Sequence, residues 1–497
     1  MAGSISFDGL ISGINSSEIV AQLMAVERQT KILPLQRQEA QLTAKQAAWR
    51  DVRSGLASLQ SKLMDLKLTG TYTGMKATSA NDEVATATTK AGAGTATYII
   101  KVEQLATAKQ MWSIRVDNPE ATLKDLEVLG NNPGLESGTV QINDVEIEYS
   151  GDDTLASLAQ KINEAIKQAE NVNENGKVSA SVVDGRLVLS SQETGAASTI
   201  ELGGDEAGQA LWQELGLDSI DTEGYPDPEI NGSAYVNGQD AIFYVDGVQI
   251  KRNSNKVDDA ISGVTLELTG VSKKVGEGTG WEGFEGTRLT VEQDVDKAVK
   301  AIKAFVDEYN RVWQANRGKQ SWDKDTKQGA ILFGDSTLNG IQYRLRGLVT
   351  GSIDGVLGPW STLAQIGITT GTLGTGVSAD GTLHLDEAKL REALQEDPEA
   401  VAELFTGEQG VAGRLDEYLK ETLTKDKTGL FTAKDEAISG QIRDLQNQTE
   451  RMEERLLRRE EQLKRQYVQL ELALAKMQSQ SNWLTMQIAG FNTGSGN

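Results

Sequence analysis

No cysteine occurs in the 497 residues, and histidine occurs once, at His384. Disulfides, thiol nucleophiles and Cys-ligated metals are excluded, and so are His triads and multi-His zinc sites built within one chain. Cysteine usage therefore does not name the compartment. No run of 18 apolar residues is present, so no segment reads as a membrane-spanning helix. The start, MAGSISFDGLISGINSSEIV, has no basic stretch leading into an apolar run, and a cleaved Sec-type signal is not expected. Aromatic residues make up 5% and hydrophobic residues 38%, low for a compact enzyme. Positive charge is also in deficit: 49 Lys and Arg face 72 Asp and Glu, a formal net charge of -23. That excess repels nucleic acid and anionic membranes. The length still allows several domains with real cores.

Long helical periodicity is what the two ends do have. Leu35, Leu42, Trp49, Leu56 and Leu63 fall seven apart, and Val52, Leu59 and Leu66 add a second row. Near the other end Ile442, Thr449, Leu456, Leu463, Leu470, Met477 and Leu484 repeat the spacing, with Leu445 and Met452 as the early second row. Heptad spacing buries a narrow stripe only when another helix covers it. The later second row drifts to Tyr467, Leu474 and Ile488, as 3.6 residues per turn requires against a strict repeat. Arg459 and Gln466 on the seam argue for a mixed bundle over a simple zipper. Ser16 or Ser17 is the expected cap of the first helix, whose apolar face continues through Ile19, Leu23 and Val26. Pro34 is expected to break or kink it. The second segment should run to about Leu68, and the terminal helix from about Lys434 to Ile488. Such arms are expected to be loosely held in a lone subunit, leaving a folded body if residues 1–68 and 434–497 are removed.

Between the ends the period falls to two. Val140 and Ile142, then Val145, Ile147 and Tyr149, flank Asn143-Asp144 as a hairpin. Val182-Val183 and Leu187 to Leu189 flank Asp184-Gly185, a type I′ turn signal. Leu155, Leu158, Ile162 and Ile166 make a short amphipathic helix between them, so residues 138–200 read as a ββαββ unit. Residues 221–232, DTEGYPDPEING, mark a boundary, after which Asp246-Gly247 turns another hairpin. From Val295 to Trp313 a helical stripe returns, followed by helices over Ser336 to Val349, Leu385 to Leu394, Pro398 to Phe405 and Leu415 to Leu423.

Chemical motifs are weak. Gly278, Gly280 and Gly283 match GxGxxG, but a strand follows where a dinucleotide fingerprint opens a helix, and Glu277, Glu282 and Glu285 would repel phosphate. Gly374 and Gly376 lie in a second Gly/Thr loop. Asp323 and Asp325 hint at a calcium loop, but Lys327 takes the next ligand position. His384, between Leu383 and Leu385, reads as a half-buried packing residue. No catalytic, cofactor or metal site is expected, and the chain does not read as an enzyme.

Several segments together carry a resemblance. Residues 8–29, DGLISGINSSEIVAQLMAVERQ, are similar to the N-terminal signature of the bacterial flagellar filament cap family, the FliD-type hook-associated proteins. Residues 138–149, 154–163 and 178–195 resemble the repeat motif of flagellar hook-type proteins. Residues 252–268, RNSNKVDDAISGVTLEL, resemble a cap-family segment with Asn253 inserted, and residues 301–313, 332–346 and 430–445 are similar to its C-terminal half.

The resemblance implies an α+β multidomain fold, with β-rich head domains inserted in a helical domain and long coiled-coil helices at both termini. It implies coiled-coil legs at residues 1–70 and 434–497. The inner β-rich head takes residues 71–115 and 229–290, the outer head with the hook-type motif residues 116–228, and the helical body residues 291–433. It implies a homo-oligomeric lid at the distal end of the flagellum, outside the cell, that promotes flagellin insertion. Implied partners are further copies of the chain, flagellin and the filament end, the flagellar type III export machinery and an export chaperone. Some members of the family contribute to adhesion, so the alternative is an exported coiled-coil adhesin or another axial structural protein. With a charge of -23, contacts between subunit bodies are expected to be polar and to weaken with ionic strength.

Overall fold

The computed structural model describes residues 15–90, 92–125, 137–169, 176–217, 234–275, 278, 280–356, 358–370, 381–424 and 429–493, with side chains through 488. The 221–232 boundary, the Gly374 and Gly376 loop and the first fourteen residues lie outside them.

In chain order the elements are α1 (Ser16–Lys31), α2 (Leu33–Leu66), β1 (Met75–Ser79), β2 (Ala85–Thr89), β3 (Ala96–Gln104), β4 (Ala108–Trp112), β5 (Gly138–Ile142), β6 (Val145–Tyr149), α3 (Leu155–Gln168), β7 (Val178–Val183), β8 (Arg186–Thr194), β9 (Leu202–Gly204), α4 (Glu206–Glu214), β10 (Ala234–Val236), β11 (Ala241–Val245), β12 (Val248–Arg252), β13 (Lys256–Ile261), β14 (Val264–Leu268) and β15 (Thr287–Gln293). After them come α5 (Val295–Gln320), β16 (Trp322–Asp323), β17 (Gln328–Gly329), α6 (Ser336–Thr350), β18 (Ile368–Thr369), β19 (His384–Leu385), α7 (Glu387–Glu396), α8 (Pro398–Phe405), α9 (Val411–Leu423) and α10 (Leu430–Thr493). Contacts divide the chain into two units: Met1–Tyr72 with Val295–Asn497, and Thr73–Asp294.

The β-rich unit holds two cores. One gathers Ile100, Val102, Phe243, Leu266 and Leu289 from a five-stranded sheet, β1-β15-β3-β11-β12, and a three-stranded sheet, β13-β14-β2. The other gathers Val140, Leu155, Ile162, Leu189 and Trp212 from β6-β5-β9, β10-β4-β8-β7, α3 and α4. Alternation does the sorting: β6 buries Val145, Ile147 and Tyr149 and turns Glu146 and Glu148 outward. The Asp184-Gly185 turn has φ of 46° and 71°, the paired positive values of a type I′ turn. A Cβ at Gly185 would also sit 2.5 Å from the Val116 carbonyl oxygen. The ββαββ order is as expected, but its two hairpins enter different sheets: β5–β6 joins β9 through β5, and β7–β8 joins β4 through β8. The partner strands come from outside the motif, so local pattern did not reveal the split.

In the helical unit α2 packs along α5, α9 and α10. Trp49, Val52, Leu56, Leu59, Leu63 and Leu66 are all buried there, in one core with Ile302, Phe305, Tyr309, Leu415 and Leu419. Each fully buried Leu contributes about 1.5–3 kcal/mol relative to exposure. This corrects the expectation of a separable N-terminal leg over residues 1–70. The stripe from Trp49 to Leu66 belongs to the core, because α5 and α9 present apolar faces to it. The C-terminal end of α2 is pinned by a buried carboxylate. Asp416 of α9 accepts from Lys67 at 2.5 Å and Gln60 at 2.9 Å and pairs with Lys420 at 2.8 Å.

Three smaller expectations change. The cap of α1 is Asn15, whose side chain accepts from the Glu18 amide, in place of Ser16 or Ser17. The Pro34 break is confined to Ile32, and the Ile32 amide still reaches the Arg28 carbonyl. His384 is exposed: β19 turns it away from the core while Leu383 is buried.

Candidate functional site

The terminal helices α2 and α10 run antiparallel, and three side-chain pairs fix the register. Arg50 meets Asp435 at 3.3 Å, Gln46 donates to Ser439 at 2.8 Å, and Gln446 donates to Glu39 at 2.6 Å. The root of α10 is held firmly. Phe431 meets Trp49 edge-on with centroids 5.8 Å apart, and the Lys434 ammonium sits 4.5 Å from the Trp49 ring centroid. Lys434 also pairs with Asp335, the N-cap of α6, at 3.2 Å. Burial pushes the Asp335 carboxyl up, but hydrogen bonds from Lys434 and from the Leu338 and Thr337 amides outweigh it, so the group titrates below the ordinary carboxylate range.

Coverage of the expected seam then falls along α10. Ile442, Leu445 and Met452 are half-buried, as are Leu35 and Leu42 on α2. Leu456 is buried in a small satellite core with Val20, Met24 and Ile32, against which Met452, Leu463 and Tyr467 pack. α1 supplies that cover. Leu474 is half-buried, but Leu470, Met477, Leu484 and Ile488 are 49%, 66%, 53% and 61% exposed. From Met477 to Ile488 there is no charged residue. Val468, Leu472, Trp483 and Met486 are exposed as well, so distal α10 is apolar on more than one face.

The seam residues are therefore not one set. Trp49 to Leu66 are core, Ile442 to Leu463 are a covered or half-covered helical pair, and Leu470, Met477, Leu484 and Ile488 stand open with Leu474 half-buried among them. Reading α1 through Ile19, Leu23 and Val26 missed the covered face: Leu23 and Val26 are exposed, while Val20 and Met24 are buried. α1 has apolar residues on two sides, and only the spacing of Val20, Met24 and Ile32, in steps of four or eight, could have singled out this one.

The motifs set aside earlier have structural roles. Asp323 accepts from the Asp325 and Thr326 amides and the Thr326 hydroxyl, so its carboxylate shapes the β16–β17 turn. Gly283 closes against the Gly278 carbonyl, which a Cβ would approach to 2.2 Å, in the loop before β15. Among the described residues no helix is long and apolar enough to cross a membrane.

Comparison with known proteins fits these features. The model of the N-terminus of flagellar hook-associated protein 2 matches residues 12–109, and that of its C-terminus matches residues 238–479. The flagellin hook IN motif matches residues 136–193, the hairpin–helix–hairpin segment. The A-type flagellar hook-associated protein 2 of Pseudomonas aeruginosa is 25% identical over 98% of both chains. Flagellar hook-associated protein 2 of Thermotoga maritima is 30% identical over 71% of this chain and 55% of its own length. The crystal structure of the flagellar cap protein FliD D1-D2-D3 domains from Escherichia coli superposes with a TM-score of 0.56 at 26% identity, covering 79% of this chain and 99% of that one. With both family models aligned in order, and the Pseudomonas aeruginosa relative matched along nearly its whole length, the chain belongs to the flagellar hook-associated protein 2 family.

Proposed function

We propose that this protein caps the distal end of a bacterial flagellar filament. Copies associate into a lid, the paired terminal helices grip the filament end, and the β-rich units cover the site where arriving flagellin inserts and folds. The observation that carries this reading is the open, uncharged apolar stretch of α10 from Met477 to Ile488, beyond a seam that α1 covers further up. An apolar, uncharged helical face that the described part of the chain leaves bare is suited to burial against other helices. Full-length similarity to hook-associated proteins favours the cap over a free adhesin. The work of such a lid is mechanical, and it calls for no catalytic group. Delivery through the flagellar export machinery, with a chaperone for the bare helix, completes the proposal.

Electron microscopy of filaments from cells carrying the labelled protein tests it. Label at filament tips is expected. Label along the shaft or on the cell body, with normal tips, overturns it.

A further inference from the structure

One helix departs from the charge of the rest. Every helix from α1 to α10 carries an acidic residue except α6, which has Arg344 and Arg346 and no carboxylate. Its outward face presents Gly340, Tyr343, Arg344 and Gly347, and Tyr343 is 83% exposed. The two glycines stand three residues before and four residues after the tyrosine, on the same side of the helix. A Cβ at either would meet nothing within 4 Å. Packing inside the subunit therefore does not require glycine there, although glycine weakens a helix interior. The tyrosine ring rises from a flattened surface that another chain can approach closely.

The corner where α7 meets α8 has the opposite charge. From Glu387 to Phe405 six acidic residues stand against Lys389 and Arg391, and Glu392, Glu396 and Glu399 are exposed. The two patches lie at different ends of α5. Glu387 pairs with Lys303 at 2.6 Å and Arg391 with Asp296 at 2.7 Å, so α7 runs back toward the start of α5. α6 begins at its far end, where Gln320 donates to Asn339 at 2.8 Å. From Asp296 to Gln320 the helix rises about 36 Å at 1.5 Å per residue.

We infer that the Tyr343 face of α6 in one copy docks on the acidic α7–α8 corner of the next. The inference rests on the capping reading, which supplies the copies. Charge selects the occupant. Two chains of -23 repel each other over most of their surfaces, and α6 is the helix that an acidic surface attracts. Arg344 can pair with the Glu396 or Glu399 carboxylate in a charge-assisted contact, and the tyrosine supplies a rigid anchor with a polar tip. A contact between two separate patches of one subunit is heterologous, and repeated by rotation it closes a ring, the form a lid requires.

The parent chain has no cysteine, so disulfide trapping reads the contact directly. Tyr343→Cys and Glu396→Cys are made as single variants of the full chain and oxidised alone and mixed, in solution and on capped filaments. Cross-linked dimers in the mixture and in neither variant alone are expected. A variant that cross-links to itself shows a two-fold contact and overturns the inference, as does a mixture that assembles without cross-linking. Gly340→Leu separates contact from fold. The added side chain enters open space, so the melting temperature should hold or rise while association weakens at least tenfold by sedimentation. Arg344→Glu should weaken association similarly, as should Glu396→Lys with Glu399→Lys, and all three changes in one chain should recover most of the loss. Association untouched by Gly340→Leu, or charge reversals that do not rescue each other, count against the contact. Capping lost in these variants with oligomers intact would assign the α6 face to flagellin and overturn the inference too. Filament tips left bare by the parent chain would sink the capping reading itself.

Discussion

At the scale of single residues, one heptad pattern contains positions with opposite consequences. Leu63 is fully buried between helices, and Leu63→Ala should cost about 2–5 kcal/mol, read as a clear fall in melting temperature. Leu484 occupies an equivalent seam position but is 53% exposed, so Leu484→Asp should leave the melting temperature of the lone chain within error while filament attachment is lost. Equal destabilisation by the two variants would refute the division of the seam. Asp416 gives a pH prediction. Burial alone would raise its pKa, but hydrogen bonds from Lys420, Lys67 and Gln60 outweigh that and hold it at about 2, below the unfolded value of about 3.9. A depressed folded pKa stabilises above the unfolded pKa, and that contribution disappears as pH falls through the folded one. Roughly 2 kcal/mol of stability should vanish between about pH 4 and pH 2. Asp416→Asn should flatten that part of the profile, and an unchanged acid profile would show that the cluster contributes nothing.

At the scale of elements, α10 is one continuous helix with three environments. Its 64 residues span about 96 Å at 1.5 Å per residue. A chain ending at residue 469 keeps the core-bound root and the α1-covered stretch, and should melt like the full protein while failing to cap. Removing residues 1–68 deletes Trp49 to Leu66 from the main core, and that chain should lose cooperative melting of the helical unit. The satellite core can be tested alone. Leu456→Asp puts a carboxylate among Val20, Met24 and Ile32, and α1 should become protease-sensitive while the main transition stays in place. Protection of α1 in that variant would mean that other contacts hold it.

At the scale of the whole molecule, two units divide the work. Among the described residues, the helical unit combines a fixed root, a covered pair and an exposed apolar tip, and the β-rich unit has two separate cores served by four sheets. Cells without the protein should release flagellin monomers into the medium in place of building filaments. His384→Ala should restore filaments fully, since the side chain is exposed on a two-residue bridge. A properly folded His384→Ala protein that fails to complement would point to chemistry at that residue.

What the sequence determined by itself was periodicity. Seven-residue spacing specified helices at both ends, and alternation with Asp184-Gly185 and Asp246-Gly247 specified hairpins, because these signals depend on neighbours a few residues away. Which stripe is covered depends on residues hundreds of positions distant. Trp49 to Leu66 became core because α5 and α9 fold against them, while Met477, Leu484 and Ile488 received no comparable cover from the described residues. Strand pairing divided in the same way. The β5–β6 and β7–β8 hairpins were legible, but the sheets they join were decided by β9 and β4, brought in from elsewhere in the chain. Hydrophobic spacing states that a face needs burying, and the tertiary structure alone decides what buries it, because burial is a property of packed partners.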